Sequence, residues 1–401
     1  MGIERCNNTE DFRRLAKRRL PAPLFHYIDG GADDEATLRR NTEAFDEVRL
    51  IPNSLADLSE LDLSTTVLGE KIDWPVFLSP TGMSRLFHHD GERAVARAAE
   101  KFGTIYSLSS LSTVSIEEIG ALTAGPKCFQ IYIHKDRALT YEFVERCKAA
   151  KYSSLCLTVD TLVAGNRERD LVTGMVMPPK PTLSSLLSFA THWDWSFNFL
   201  LREKFRLANV ATSVNAGNDS NLISVIDYIN SQFDRSITWK DAEALISAWG
   251  GPFAIKGVMS VEDAIRARDA GASAIMVSNH GGRQLDGSTA PFDMLQRICD
   301  AVGGDIEIIL DGGIRRGTHV LKAMAMGATA CMMGRGYLYA LAAGGQKGVE
   351  RALQRMRDEV ERDMVLMGAA NLGELDRTRL QRGSPLQDAK SGSSDFSIAA
   401  E

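Results

Sequence analysis

Apolar positions along the chain gather into eight short runs rich in β-formers, separated by amphipathic stretches. The runs occupy 76–79, 104–108, 128–132 and 155–159, then, after a long interval, 253–256, 274–278, 306–310 and 330–333. Within each run the apolar residues are continuous rather than alternating, the pattern of a strand covered on both faces, as in a parallel sheet. The stretches between them carry helix punctuation. Ser115-Ile116-Glu117-Glu118 and Ser260-Val261-Glu262-Asp263 have the form of capping boxes. Gly271 and Gly327 stand where helix gives way to strand, at a C′ position that favours positive φ. A strand–helix unit therefore recurs every ~25 to 35 residues. Eight such units predict an α/β protein folded as a (β/α)8 TIM barrel rather than an open, doubly wound sheet.

Three pieces lie outside the repeat. Residues 1–73 contain helical segments and are expected to form an N-terminal cap over one end of the barrel. Residues 161–237 make a long inserted loop after strand 4, of a length that is usually functional. Residues 381–401, rich in Ser, Asp, Gly and Ala, read as a flexible tail. The length of 401 residues suggests two or three domains at first sight. The repeat replaces that count with one domain over 1–380.

Composition narrows the function. With 46 basic and 52 acidic side chains, the net charge of −6 offers nothing to track a phosphate backbone, so nucleic acid is not an expected partner. The six cysteines are scattered without a CxxC, as reduced thiols of a cytosolic protein are. No run of some 18 apolar residues spans a membrane, and Met1 to Leu15 lacks the apolar core of a secretory signal. The expected location is the cytoplasm or the cytoplasmic face of a membrane, held there peripherally.

Barrel active sites form at the C-terminal ends of the strands. Here every strand ends in polar or charged residues, among them Ser109, Gln130, Tyr132, Thr158, Asp160, Lys256, His280, Asp311 and Arg335. That convergence argues for an enzyme. Asp311-Gly312-Gly313-Ile314-Arg315 after strand 7 and Gly334-Arg335 after strand 8 form a candidate phosphate site, with backbone N–H groups and a guanidinium able to grip a monoester in two-pronged fashion. Lys256, ending an apolar strand, reads as a fixed positive charge for a developing anion. His280, flanked by glycines after strand 6, reads as a base oriented by Asp160 at strand 4. Arg283 and Arg167 are candidates to grip a carboxylate. His88-His89-Asp90 has no further matched ligand cluster, so no metal is expected.

Ser278-Asn279-His280-Gly281-Gly282-Arg283-Gln284-Leu285-Asp286 resembles, without departure, the active-site signature of the FMN-dependent α-hydroxy-acid dehydrogenase/oxidase family. Pro80-Thr81-Gly82, Leu157-Thr158-Val159-Asp160, Lys256-Gly257 and the run from Asp311 to Gly317 match it as well, and the similarity covers roughly residues 10 to 380. The resemblance implies FMN as cofactor and oxidation of an (S)-2-hydroxy acid to the 2-oxo acid. It makes His280 the base with Asp160 as partner, and gives the substrate carboxylate to Arg283 and Tyr27, assisted by Arg167. Tyr132 is placed by the substrate hydroxyl and Lys256 by flavin N1. Pro80, Thr81, Gly82, Ser109, Gln130, Thr158 and Ser278 fall to the isoalloxazine and ribityl chain. Asp311, Gly313, Arg315, Gly334 and Arg335 fall to the ribityl tail and phosphate. A homotetramer is the assembly the family implies.

Leu111 and Ala164 are smaller than the residues the resemblance aligns with them in plant glycolate oxidase, which speaks against strict glycolate preference. The stretch from Gln232-Phe233-Asp234 to Trp249 resembles bacterial L-lactate dehydrogenase, so L-lactate is the expected substrate. Within the insertion, Trp193-Asp194-Trp195-Ser196-Phe197-Asn198-Phe199 sets four aromatics beside Arg202, Lys204 and Arg206. Aromatics next to basic residues are what an interfacial anchor uses, so 182–236 is a candidate membrane contact and a membrane quinone the expected acceptor. The competing readings are a soluble oxidase that passes electrons to O2 and yields hydrogen peroxide, and a barrel that binds FMN or another phosphate ligand without turnover.

Overall fold

The computed structural model describes residues 2–175, 182–203, 205–210 and 233–383. Eight parallel strands close into a barrel: Val76–Thr81, Tyr106–Ser109, Lys127–Ile131, Ser154–Thr158, Phe253–Val258, Ala274–Ser278, Glu307–Asp311 and Ala330–Met333. Each pairs with the next in chain order, and the eighth pairs with the first. The expected barrel is what forms, with every apolar run on a strand. Alternate side chains point inward, where Phe77, Ile105, Cys128, Cys156, Met276, Ile309 and Met332 fill the interior. The others point outward beneath a ring of helices, which is why the runs are apolar without alternation.

Both predicted capping serines cap their helices, accepting the N–H of Glu118 and of Asp263 at 3.1 Å. Neither box is completed by a return bond among the described residues. The carboxylate that does reach back is Asp241, which accepts from the Thr238 N–H at 2.8 Å and from its hydroxyl at 2.9 Å. Gly271 and Gly327 take φ of +85° and +112°, as their positions require.

The N-terminal segment serves both ends of the barrel rather than one. Helix Ala22–Asp29 brings Tyr27 and Ile28 to a cavity at the C-terminal mouth. The hairpin Thr65–Val67 and Glu70–Ile72 plugs the opposite end: Val67, Leu68 and Ile72 join the interior cluster, and Leu68 N–H donates to Glu307 at the base of the seventh strand (2.7 Å). The segment expected to fray is ordered at its start, since Leu380–Arg382 pairs with Val48–Leu50. The insertion is not simply a loop. Its described part holds helices Glu168–Thr173, Leu183–Thr191 and Trp193–Leu200, while part of the candidate membrane segment, including Lys204, falls outside the described residues.

One buried carboxylate ties these additions to the barrel. Asp29 receives Arg13 through Nε at 2.5 Å and Nη2 at 2.8 Å, Arg169 from the insertion at 2.9 Å, and the Tyr339 hydroxyl of the long helix Arg335–Met367 at 2.8 Å. Burial alone would raise its pKa, but Arg13 above all, with Tyr339 and Arg169, holds it down at about 2. A folded value below the unfolded one stabilises the protein fully above the unfolded pKa and loses that contribution as pH falls toward 2. Asp29→Asn is therefore expected to cost about 2 kcal/mol at pH 7 and roughly half that at pH 3. Denaturant midpoints at the two pH values check this; an equal loss at both would contradict it.

Candidate active site

The C-terminal ends of the strands open into one cavity. On its wall stand Tyr27, Pro80, Thr81, Gly82, Ser109, Tyr132, Arg167, Lys256, His280 and Arg283, with Asp311, Gly313, Arg315, Gly334 and Arg335 at one end. Fifteen of the nineteen residues expected at the site thus meet on one surface. The remaining four, Gln130, Thr158, Asp160 and Ser278, lie buried or partly buried behind it.

His280 takes a left-handed backbone, φ +56°, followed by Gly281 at +66° and Gly282 at +73°. The two glycines are required by contact as well as by φ. A Cβ on Gly281 would fall 2.6 Å from Arg335 Nη1, and one on Gly282 would fall 2.6 Å from Leu38 N. The turn aims the imidazole across the mouth, where its Nδ1 meets Asp160 Oδ1 at 2.9 Å. Burial works against a charged Asp160, yet His280, Lys256 and the Thr161 hydroxyl outweigh it and hold the carboxyl below its ordinary range. With Nδ1 engaged by a carboxylate, Nε2 is the nitrogen left to take a proton from the cavity.

Lys256 forms the centre of a buried charge cluster. Its Nζ lies 2.8 Å from Asp311 Oδ2 and 2.9 Å from Ser278 Oγ, which itself donates to Oδ2 at 2.7 Å. Ser79 Oγ donates to the other Asp311 oxygen at 2.8 Å. Burial alone would discharge the lysine; Asp311 and Asp160 reverse that and raise its pKa. Asp311 is lowered in turn, burial being outweighed by Lys256 and the two serine hydroxyls. A permanent cation is thus fixed beneath the cavity.

Arg283 and Arg167 converge over Tyr27, their guanidinium carbons 5.0 and 5.1 Å from the ring centroid. Burial and then repulsion from Arg167 push Arg283 down to about 9. The nearby Asp170 pairs with Arg167 Nε at 3.1 Å, but burial raises its own pKa. Two guanidinium groups short of anionic charge, set on an aromatic floor, have the chemistry to accept a carboxylate.

At the end where a phosphate is expected the two arginines divide. Arg335 already donates through Nε to Ile28 O (2.9 Å), through Nη1 to Gly281 O (2.8 Å) and through Nη2 to Gly30 O (2.8 Å). Three of its five donors clasp the cap and the sixth loop, so at most two remain for the expected two-pronged grip. Arg315 makes a single bond to its neighbour's carbonyl, Ile314 O at 2.8 Å. Helix Arg335–Met367 begins at this end with Gly334 as its cap, presenting unpaired backbone N–H groups.

Other contributors make contacts that the sequence does not assign to them: Thr161 and Asn41 lie outside any signature, whereas Gln284 and Asn279 stand inside it. Thr161 donates to Asp160 Oδ1 at 2.9 Å and approaches His280 Nδ1 at 3.4 Å. Gln284 Nε2 ties the Asp160 and Val163 carbonyls, both at 2.9 Å. Asn41 and Asn279, 238 residues apart, exchange amide bonds of 2.9 and 2.7 Å that lock the cap to the sixth loop. Leu111, Ala164, Met83, Leu207 and Phe233 add an apolar wall beside the arginine pair.

Residues 16–382 match the profile of a family described as FMN-dependent dehydrogenase. The chain is 42% identical over 371 residues to an L-lactate dehydrogenase of Vibrio cholerae serotype O1 (strain M66-2), covering 92% of this chain and 97% of that one. It is 41% identical over 373 residues to glycolate oxidase 1 of Oryza sativa subsp. indica, covering 93% and 95%. Among solved structures, the monotopic membrane protein (S)-mandelate dehydrogenase superposes with a TM-score of 0.90 at 33% identity, covering 94% of this chain and all of that one. A mandelate oxidase with (S)-4-hydroxymandelic acid gives 0.82 at 36% identity, covering 94% and 99%.

Proposed function

The chain belongs to the FMN-dependent dehydrogenase family and oxidises 2-hydroxy acids with FMN, and from that premise we propose that its substrate is L-lactate and its acceptor a membrane quinone. The cavity suits the cofactor. Gln130 Nε2 and Thr158 Oγ1 are buried without a protein partner, two orphaned groups that the polar edge of a flavin would satisfy. Lys256 supplies a buried cation beside them, and Arg315, Gly313 and the start of helix Arg335–Met367 take the phosphate. Bound FMN supplies the two-electron sink for the oxidation.

The single observation that carries the reading is that one cavity is lined both by His280, held by Asp160, and by the Arg167–Arg283–Tyr27 cluster. The cluster fixes the substrate carboxylate, and Tyr132 meets the hydroxyl. His280 Nε2 then receives the proton, and the ionised Asp160 stabilises the resulting imidazolium. Lys256 offsets the negative charge that builds up in the site.

The apolar wall supports a substrate bearing a side chain. Leu111 packs so closely on the first loop that a Cβ at Gly82 would fall 3.1 Å from the Leu111 Cβ, and Ala164 brings only a methyl group to the same lining. A methyl group is the smallest side chain this wall rewards. The test is a panel of 2-hydroxy acids with an artificial acceptor, run on the wild type and on Leu111→Trp. L-lactate is expected to give the highest kcat/KM, and the bulky variant to lose about tenfold on lactate but little on glycolate, in keeping with the ~1 to 3 kcal/mol of a filled pocket. A wild-type preference for glycolate or mandelate would replace lactate. A flavin that no 2-hydroxy acid bleaches would leave only a non-catalytic binding barrel.

The acceptor reading is supported by the insertion. No helix among the described residues is long and apolar enough to cross a membrane. The helices Leu183–Thr191 and Trp193–Leu200 nevertheless present Leu183, Leu187, Trp193 and Phe197 to solvent, with exposures of 87, 66, 67 and 55%. Large side chains exposed together on adjoining helices suit peripheral contact with a bilayer. Oxygen uptake as fast as quinone reduction would favour the hydrogen-peroxide-forming oxidase instead.

A further inference from the structure

A second cavity lies between the inserted helices and the barrel mouth, walled by Phe87, His88, Trp195 and Phe199. It is lined also by Arg19, Arg202 and the carboxylates of Asp194 and Glu203, the latter already paired with Arg93 at 3.0 Å and Arg85 at 3.7 Å. Phe87 belongs to both cavities. It lines the active cavity as well, where its ring stacks on Tyr27 with centroids 6.3 Å apart. One aromatic side chain therefore stands between the two spaces.

His88 occupies a place the fold makes for it. The long helix Arg335–Met367 breaks at Gly344 and Gly345, Gly345 taking φ +59°. A Cβ on Gly345 would fall 2.5 Å from His88 Cε1 and 2.7 Å from Nε2. Each glycine disfavours a helix interior by about 1 kcal/mol relative to alanine, and this tandem pair leaves the imidazole room at the break. Nδ1 accepts the Asp90 N–H at 3.3 Å, which puts the ring proton on Nε2. Burial first, then His89 and more weakly Arg19 and Arg202, hold the ring's pKa down to about 4 against Asp90. Near neutral pH, His88 is an uncharged donor.

The opposite wall is aromatic. Trp195 and Phe199 stack at 4.9 Å with 15° between their planes, and the indole N–H is anchored on Leu86 O at 2.7 Å. On the outer side of the same helix, Trp193 and Phe197 face solvent. The helix thus turns one aromatic face to the cavity and another away from the protein.

We propose that this second cavity binds the ring of a lipid-borne quinone, with His88 as hydrogen-bond donor to a ring carbonyl and Arg19 and Arg202 as the cations of its lining. A flat ring suits the stacked aromatics. Its two carbonyl oxygens only accept hydrogen bonds, which matches a neutral imidazole N–H and two guanidinium groups. Its apolar tail can leave along the exposed apolar side chains of helices Leu183–Thr191 and Trp193–Leu200. The inference rests on the acceptor reading above. The chemistry balances: two electrons and two protons leave the substrate's C–H and O–H bonds, the carbonyl C=O forms, and the quinone gains two O–H bonds as quinol. His88, His89 and Asp90 do gather ligand atoms within 4.8 Å of one another. The Nδ1 of His88 is engaged with a backbone N–H, however, and the His88 and His89 rings lie side by side at 4.2 Å.

Two measurements on the FMN-loaded protein test this. A photoreactive azido-benzoquinone is expected to label peptides carrying residues 86–89 and 194–202, in competition with unlabelled short-chain ubiquinone. His88→Phe and the exposed Arg202→Gln are each expected to raise the KM for that quinone at least fivefold and to reduce the labelling, while anaerobic bleaching by L-lactate keeps its rate and shows the fold intact. Labelling elsewhere, or an unchanged quinone KM in both variants, would overturn the cavity assignment alone. A wild type that is bleached by L-lactate but neither labelled nor reoxidised by quinone would overturn the acceptor reading, and the cavity assignment with it.

Discussion

Exchange of His280 for Gln is expected to give a folded, yellow protein that L-lactate bleaches about 10²- to 10⁴-fold more slowly, the usual contribution of a positioned general base. Glutamine is the informative replacement. Its amide can still donate to Asp160 Oδ1, the bond now made by Nδ1 at 2.9 Å, so the loop keeps its anchor while the proton acceptor is lost. Asp160 keeps Lys256 and the Thr161 hydroxyl in the variant but loses His280, the largest of the influences that offset its burial. Asp160→Asn, which keeps the base but removes its ionised partner, is expected to fall between the variant and the wild type. Stopped-flow bleaching without oxygen isolates this half of the reaction from whatever acceptor follows. Bound FMN, read from absorbance, confirms that the site is intact. A loss below tenfold in His280→Gln would place the base elsewhere.

How much of this was legible beforehand depends on the range of the interaction that carries it. The barrel was legible because a strand buried on both faces leaves a local mark, a continuous apolar run, and because glycines such as Gly271 and Gly327 mark the helix ends. The residues lining the cavity were legible because the topology puts strand ends on one rim, so His280 and Asp160 could be paired from their positions alone. Roles set by distant partners left no such mark. Nothing in the sequence joins Asn41 to Asn279 or Asp29 to Tyr339. The residue type of Arg335 suggested a phosphate grip, whereas three of its donors are taken by carbonyls of Ile28, Gly30 and Gly281. The plug at residues 65–72 was missed because its two strands have three residues each, too few to show a period. Thr161 was missed because one hydroxyl beside a catalytic pair looks like any loop threonine.

The other large effect is expected at Lys256, where stability and catalysis can be separated. Lys256→Met removes a fully buried cation and leaves Asp311 with only the hydroxyls of Ser79 and Ser278. Breaking a buried ion pair from one side typically costs about 3 to 5 kcal/mol, because the surviving charge has no counterpart. The single variant should therefore melt well below the wild type and retain little FMN. Adding Asp311→Asn removes the stranded charge without changing its shape, and the double variant should recover much of the lost stability. Flavin reduction should not recover with it. The cation that offsets charge developing in the site is absent from both variants, so bleaching should remain slow by at least about 10²-fold, the scale on which one electrostatic donor acts. If Lys256 served only to neutralise Asp311, restoring the fold would restore the rate. A double variant that is both stable and fast would thus reduce Lys256 to a structural counter-ion, whereas one that is stable and slow identifies its charge as part of the chemistry.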